Sequence, residues 1–334
     1  MNPRFKIESR HSAAVYHCMS HTVSEVRLDD AAKEILRKQL WQVADYCGVR
    51  ILTYAIMSNH FHALVHVPLK TDDVPDAELL RRHNVLHPKP SRLLAARMKL
   101  VREQLKTNGP QAVAWRKQQL GLMCDISPFM KLFKQRFSIW FNRTHERRGT
   151  LWSERFKSVL VEGRGNVLST MAAYIDLNPV RAGMTADPKD YRFCGYAEAL
   201  NGNKTAQVGI ATILTDGQPG AKWSGANGVQ EAYRMRLFGD GVKPRAGKAS
   251  MTPAQFEKVM NEKGALPLTT VLRCRVRHFS DGAVLGGKAF VAAQLARYRR
   301  QTGLRKRTTV QNLPPVTDWG DMVAMRGARK NTFH

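Results

Sequence analysis

Acidic residues are scarce in this chain. Its 334 residues hold 27 Asp and Glu against 53 Lys and Arg, a formal net charge of +26 at neutral pH. Small-molecule metabolism gives no reason for such an excess. A polyanion does, because each neutralised phosphate releases condensed counterions. Nucleic acid is therefore the first partner to consider, with an anionic membrane surface behind it. Cysteine is sparse as well: positions 18, 47, 124, 194 and 274 are scattered, odd in number and form no Cys-x-x-Cys pair. That excludes a disulfide framework and a four-thiolate zinc site. No run of about 18 apolar residues occurs, so no transmembrane helix is expected. The segment MNPRFKIESR lacks the apolar stretch of a signal peptide, and no internal repeat is evident. At 43% hydrophobic residues the chain has enough apolar material for a core, which excludes wholesale disorder. A soluble, reduced, cytoplasmic and nucleoid-associated protein with no membrane partner is expected.

The pattern along the chain begins with AAVYHCMSHTV (13–23), a β-prone first strand. Residues 29–47 repeat apolar positions at Ile35, Leu36, Leu40, Val43 and Ala44, with Asp29 or Asp30 as N-cap and Gly48 as terminator of a helix. ILTYAIM and HFHALVHV flank a Ser58-Asn59 turn and read as a hairpin. This β-α-β-β order predicts an α+β sandwich with helices on one sheet face. Residues 69–125 turn acidic and proline-containing, then basic and helical (SRLLAARMKLVREQLK), and read as an inserted helical arm. SPFMKLFKQRFSIWFNRTH (127–145) is a strongly amphipathic helix, with Ser127 placed to cap it and Pro128 in its first turn. A further helix is expected over 165–178, ending before Pro179. Residues 201–250 are Gly-rich and read as a linker carrying at most a short helix over 230–238. Residues 251–334 read as a small, basic, mostly helical unit, with TPAQFEKVMNEKG and GGKAFVAAQLARYRR as its helices around SDGAVLG, a candidate helix-turn-helix.

The chemistry concentrates in His60-Phe61-His62. On a strand, residues i and i+2 share a face, so both imidazoles point one way and Phe61 points to the core. Two histidines so placed present two nitrogens to one divalent metal; alternating histidines also serve as satisfied partners on a polar sheet face. His66 shares that face two alternations further on. Tyr174 and Asn178 stand one helical turn apart on a common face. There Asn178 offers a side-chain oxygen to a site begun by two histidines, and Tyr174 brings its phenol beside the ion. Against that, an aromatic at helical spacing is usually core, and Asn-Pro is usually a helix stop.

The segments YHCMSHTV, LTYAIMSNHFHALVHVP, RRGTLWSERFKSVLVEG and MAAYIDLNPVRAGM together resemble the single-tyrosine HUH transposases. The nearest group is the REP-associated tyrosine transposases, relatives of the insertion-sequence-200-like (IS 200/605) enzymes. The resemblance covers about residues 1–200, interrupted by the 69–125 insertion. It implies a ferredoxin-like α+β catalytic domain, His60 and His62 as metal ligands, Tyr174 as nucleophile and Asn178 as third ligand. His21 stands where relatives often carry an arginine, which puts one phosphate contact in doubt.

A metal-dependent nickase and strand transferase acting on single-stranded, hairpin-forming repeat DNA is the expectation that follows. Its cofactor is Mg²⁺ or Mn²⁺, a mixed nitrogen and oxygen shell suiting Mn²⁺ somewhat better. Arg147, Arg148, Arg155 and Lys157 are candidate phosphate contacts, Arg being suited to bidentate phosphate binding; Trp152 and Phe156 are candidate base-stacking residues. A monomer or a homodimer fits equally. The rivals are a domesticated DNA-binding protein of the same fold without turnover, and a basic RNA-binding protein.

Overall fold

The computed structural model describes residues 5–218, 220–225, 228–238, 268, 272, 278–302, 309–313, 315 and 317–326. The order begins β1 (Ala14–His21), α1 (Asp30–Cys47), β2 (Arg50–Ile56) and β3 (His60–Val67). The arm follows as α2 (Asp76–Leu86), α3 (Arg92–Thr107) and α4 (Pro110–Gly121), and the core resumes with α5 (Ile126–Thr144), β4 (Lys157–Val161) and α6 (Gly165–Asp176). Then come α7 (Asn178–Arg181), α8 (Gly195–Leu200), α9 (Lys204–Thr215), α10 (Val229–Phe238), α11 (His278–Asp281), β5 (Val284–Gly287), α12 (Lys288–Thr302), β6 (Thr309–Asn312) and β7 (Met322–Arg326).

Local chemistry accounts for several boundaries. Asp29 accepts the Ala32 amide at 2.7 Å and caps α1, while Gly48 takes φ 63° and donates its N–H to the last carbonyls. Helix α5 starts earlier than Ser127: Asp125 is the cap, accepting the Ser127 amide at 2.8 Å. An ionised carboxylate there also favours the positive end of the helix dipole. The helix expected over 165–178 breaks at Leu177, and Asn178 opens the short α7 with Pro179 as its second residue.

One sheet, in the order β2-β3-β1-β4-β5-β7-β6, organises the described residues. Its first four strands all pair antiparallel. With α1 after β1 and α5 before β4, they form the split β-α-β layout. Residues directly opposite in an antiparallel pair lie on one face. The register His21↔His60 and Met19↔His62 therefore places His17, Met19, His21, His60, His62 and Leu64 together. The other face carries Phe61, whose ring meets Phe133 of α5 at 5.3 Å. Phe129, Phe133 and Phe137 of α5 are fully buried there, each stabilising by about 2–3 kcal/mol through apolar area removed from water.

Two sequence expectations need correction. Helices do not lie on one sheet face alone: α1 and α5 cover the Phe61 face, while α6 covers the histidine face, every residue from Val167 to Asp176 being buried. Beyond these antiparallel strands, β5 pairs parallel to β4 (Leu160↔Val284, Val161↔Leu285). Finally, the described part of the C-terminal region adds strands as well as helices, and SDGAVLG is not the turn of a helix-turn-helix. It contains β5, all four residues of which are buried, and β5 to β7 extend the sheet beyond β4. The expected helix over 252–264 lies outside the described residues.

Nor do 201–238 behave as a linker. Helix α9 packs on the sheet edge through Gly209, where a Cβ would fall 2.6 Å from the Leu52 carbonyl oxygen. One hydrophobic core runs from Ile7 to Met325, so the expected boundary near residue 200 meets no break in packing. The arm is helical and has its own small core of Leu79, Met98, Val101, Trp115, Met123 and Cys124. Arg81 of the arm forms an ion pair with Asp45 of α1 at 2.6 Å.

Candidate active site

The two strand histidines stand as alternation dictates. Their rings lie 5.1 Å apart, centroid to centroid, and nearly perpendicular. Asn59, read from the sequence only as a turn residue, does more: its side-chain oxygen lies 2.7 Å from His60 Nδ1. A carbonyl oxygen can only accept, so His60 carries its proton on Nδ1 and its lone pair on Nε2. His21, paired with His60 across the strands, stacks on that ring at 4.9 Å.

His17 joins this group, and sequence reasoning did not single it out. The signal was present: in AVYHCMSH, His17 and His21 are four apart on a strand and must share a face. His17 is fully buried. Its Nε2 lies 2.8 Å from His62 Nδ1, and its Nδ1 lies 2.8 Å from the Phe279 carbonyl oxygen of α11. Burial pushes its pKa down to about 4. Burial first, then the neighbouring imidazoles, holds that of His62 well below the ordinary histidine value. Burial thus disfavours the charged imidazolium in both rings.

Tyr174 of α6 comes to the same place from the next layer. Its ring centroid is 6.4 Å from that of His17, and His17 in turn stacks at 5.0 Å on His62. Phe279 meets the Tyr174 ring edge-on at 4.8 Å, the Arg181 guanidinium lies 3.9 Å above it, and Tyr174 is only 3% exposed. Asn178 is buried beyond α6, and its side-chain nitrogen has no hydrogen-bond partner.

Asp176, the last residue of α6, anchors the helix that carries Tyr174 just before the break that leads to Asn178. It accepts Thr53 Oγ1 at 2.8 Å, Tyr233 Oη at 2.5 Å and the Tyr196 amide at 3.3 Å. Burial pushes its pKa up to about 7, against the pull of those donors.

The candidate phosphate and base contacts fare unevenly. Arg148 and Arg155 are exposed. Arg147 donates to the Thr150 carbonyl at 2.8 Å and shapes its own loop. Lys157, which opens β4 on the histidine face opposite Met19, pairs with Glu154 at 2.8 Å. Trp152 is half-buried, and its ring meets Phe61 at 5.6 Å and Phe137 at 5.9 Å. Its Nε1 donates to the Lys134 carbonyl. Phe156 is buried.

Among the described residues, no group of three or more His, Cys, Asp or Glu side chains is placed to hold a metal ion. A divalent ion here would rest on two imidazoles and an amide oxygen. That donor set suits such an ion, and the Asn178 side-chain nitrogen makes no hydrogen bond that would hold the amide in another orientation.

A solved structure of a REP-associated tyrosine transposase bound to a REP hairpin is similar to this chain, with a TM-score of 0.34 and 13% identity. The match covers 60% of this chain and 86% of that one. No family model matches the chain, and no curated protein matches it. No helix among the described residues is long and apolar enough to cross a membrane.

Proposed function

We propose that the chain nicks and rejoins single-stranded, hairpin-forming DNA through a covalent bond to Tyr174. The observation that carries the reading is that the rings of His62 and Tyr174 both pack against one buried residue, His17. A strand and a helix remote in sequence thereby share one buried imidazole, which supports reading His62 and Tyr174 as parts of one site. The resemblance of the flanking motifs and the net charge of +26 point the same way.

His60, His62 and Asn178 are the residues that would hold Mg²⁺ or Mn²⁺. When bound, the ion neutralises charge on a non-bridging oxygen of the scissile phosphate. Tyr174 Oη forms a bond to phosphorus while the bond from phosphorus to the 3′ oxygen breaks. The phenolic proton passes to solvent, and the leaving oxygen takes a proton to become a 3′-OH. The phosphotyrosine keeps the phosphodiester energy, so a second 3′-OH can reverse the step and join a different strand. Arg148 and Arg155 are exposed cations that can hold the backbone.

A second reading is favoured by one observation. Tyr174 is covered by Phe279 on its edge and Arg181 on its face, so a strand reaches its oxygen only after a local shift. A DNA-binding protein that keeps the fold without turnover would tolerate that cover permanently.

Labelled hairpin oligonucleotides with randomised flanks, incubated with Mn²⁺ or Mg²⁺ and resolved on a denaturing gel, separate the readings. A covalent adduct that disappears in Tyr174→Phe supports the enzyme. An adduct that survives the substitution names a different nucleophile. Tight binding with no adduct in either protein supports the binding module.

A further inference from the structure

The geometry points to His17 as a positioning residue that selects the tautomer of His62, with the Phe279 backbone as its anchor. The inference rests on the metal-site reading above and deepens it. Its logic runs from one atom that has no choice. The Phe279 carbonyl oxygen can only accept, so at 2.8 Å the proton between it and His17 belongs to His17 Nδ1. A neutral imidazole has one N–H, so His17 Nε2 is left as an acceptor. The contact from His17 Nε2 to His62 Nδ1 at 2.8 Å is then satisfied only if His62 Nδ1 donates. That leaves the His62 lone pair on Nε2.

The same outcome holds for His60, by a different device: Asn59 accepts from its Nδ1. Both histidines are thus held in the Nε2 lone-pair form, and each is oriented through its Nδ1. Metal-binding histidines are ordinarily oriented in this way, by an acceptor on the other ring nitrogen. His17 is unusual in being an imidazole whose own direction is set from a remote segment. Tyr16 and Cys18 flank it in β1 and point to the opposite face, and both are buried. No polar side chain at those two positions can therefore substitute for it.

Histidine-selective ¹⁵N labelling of the full-length, metal-free protein tests the proposal without DNA or turnover. Long-range ¹H–¹⁵N correlations should place the His62 proton on Nδ1 in the parent protein, and shift it to a mixture with the Nε2–H form in His17→Leu. Titration with Mn²⁺ alone, followed by electron paramagnetic resonance of the free ion, should show affinity about 10–100-fold weaker in His17→Leu. His17→Gln, whose side-chain oxygen can accept from His62 Nδ1, should recover part of that loss. A His62 proton on Nε2 in the parent protein overturns the proposal. So does a folded His17→Leu that binds Mn²⁺ within twofold of the parent. Should His17→Leu not fold, the parent spectrum and the Gln variant still decide. Absence of a Tyr174 adduct beside an Nδ1-protonated His62 would count against the proposed reaction and leave the role of His17 standing.

Discussion

Replacing Asp176 with Asn should remove a pH dependence of stability that the wild-type carboxyl imposes. The carboxyl is fully buried, and its pKa is pushed up from 3.8 to about 7. In the unfolded chain it ionises near the ordinary value, so between those two values the native state binds the extra proton. Stability from this group is therefore lost as pH rises toward 7. The total is about 4 kcal/mol, from roughly three pKa units at 1.36 kcal/mol each. About 2.5 kcal/mol of it falls between pH 5 and pH 7.5. His17 and His83, both pushed down to about 4 by burial, titrate with the opposite sign, stability falling as pH drops below about 6.5. They are common to both proteins and cancel in the difference. Urea unfolding in EDTA is the assay, with wild type and Asp176→Asn compared at each pH. With an m-value of about 3 kcal/mol/M for a chain of this size, the wild-type midpoint should fall against that of the variant by about 0.8 M between pH 5 and pH 7.5. A gap between the two midpoints that stays constant across that range would refute the reasoning.

Trp152 packs against Phe61 and Phe137, so Trp152→Ala should cost about 3–5 kcal/mol in chemical denaturation. Trp152→Phe, which keeps the packing, should leave hairpin affinity within about threefold in a fluorescence anisotropy titration; a larger loss would support the base-stacking role. Gly209→Ala forces a Cβ onto the backbone oxygens of Ile51 and Leu52 and should lower stability by about 1–3 kcal/mol, read as a lower melting temperature. Glu198 accepts Trp41 Nε1 at 2.9 Å and Asn203 Nδ2 at 2.8 Å, and also bonds Arg37 and the Tyr54 hydroxyl. Glu198→Ala leaves Arg37 paired with Glu34 alone and strips the buried Tyr54 hydroxyl and the Trp41 N–H of their acceptor, and calorimetry should show a loss of about 1–3 kcal/mol.

What the sequence by itself determined is local. Asp29 and Gly48 bound α1 because a carboxylate cap and a left-handed glycine act within one turn. The Ser58-Asn59 turn fixed the β2–β3 hairpin, and strict alternation put His60 and His62 on one face with Phe61 on the other. The arm was legible from its shift in composition, and α5 from its phenylalanine stripe. What only the tertiary structure decided is pairing at long range. Val284 to Gly287 read as a turn, because four small or apolar residues carry no period; they become a strand only where the edge of β4 lacks a partner. Gly209 reads as a breaker until the backbone of β2 lies against it. The contact of His17 with the Phe279 carbonyl spans 262 residues of chain. A backbone oxygen has no residue type by which a sequence could announce it. The packing of Trp152 on Phe61 and Phe137 was hidden for the same reason: how much of an aromatic ring faces solvent depends on what the fold packs over it.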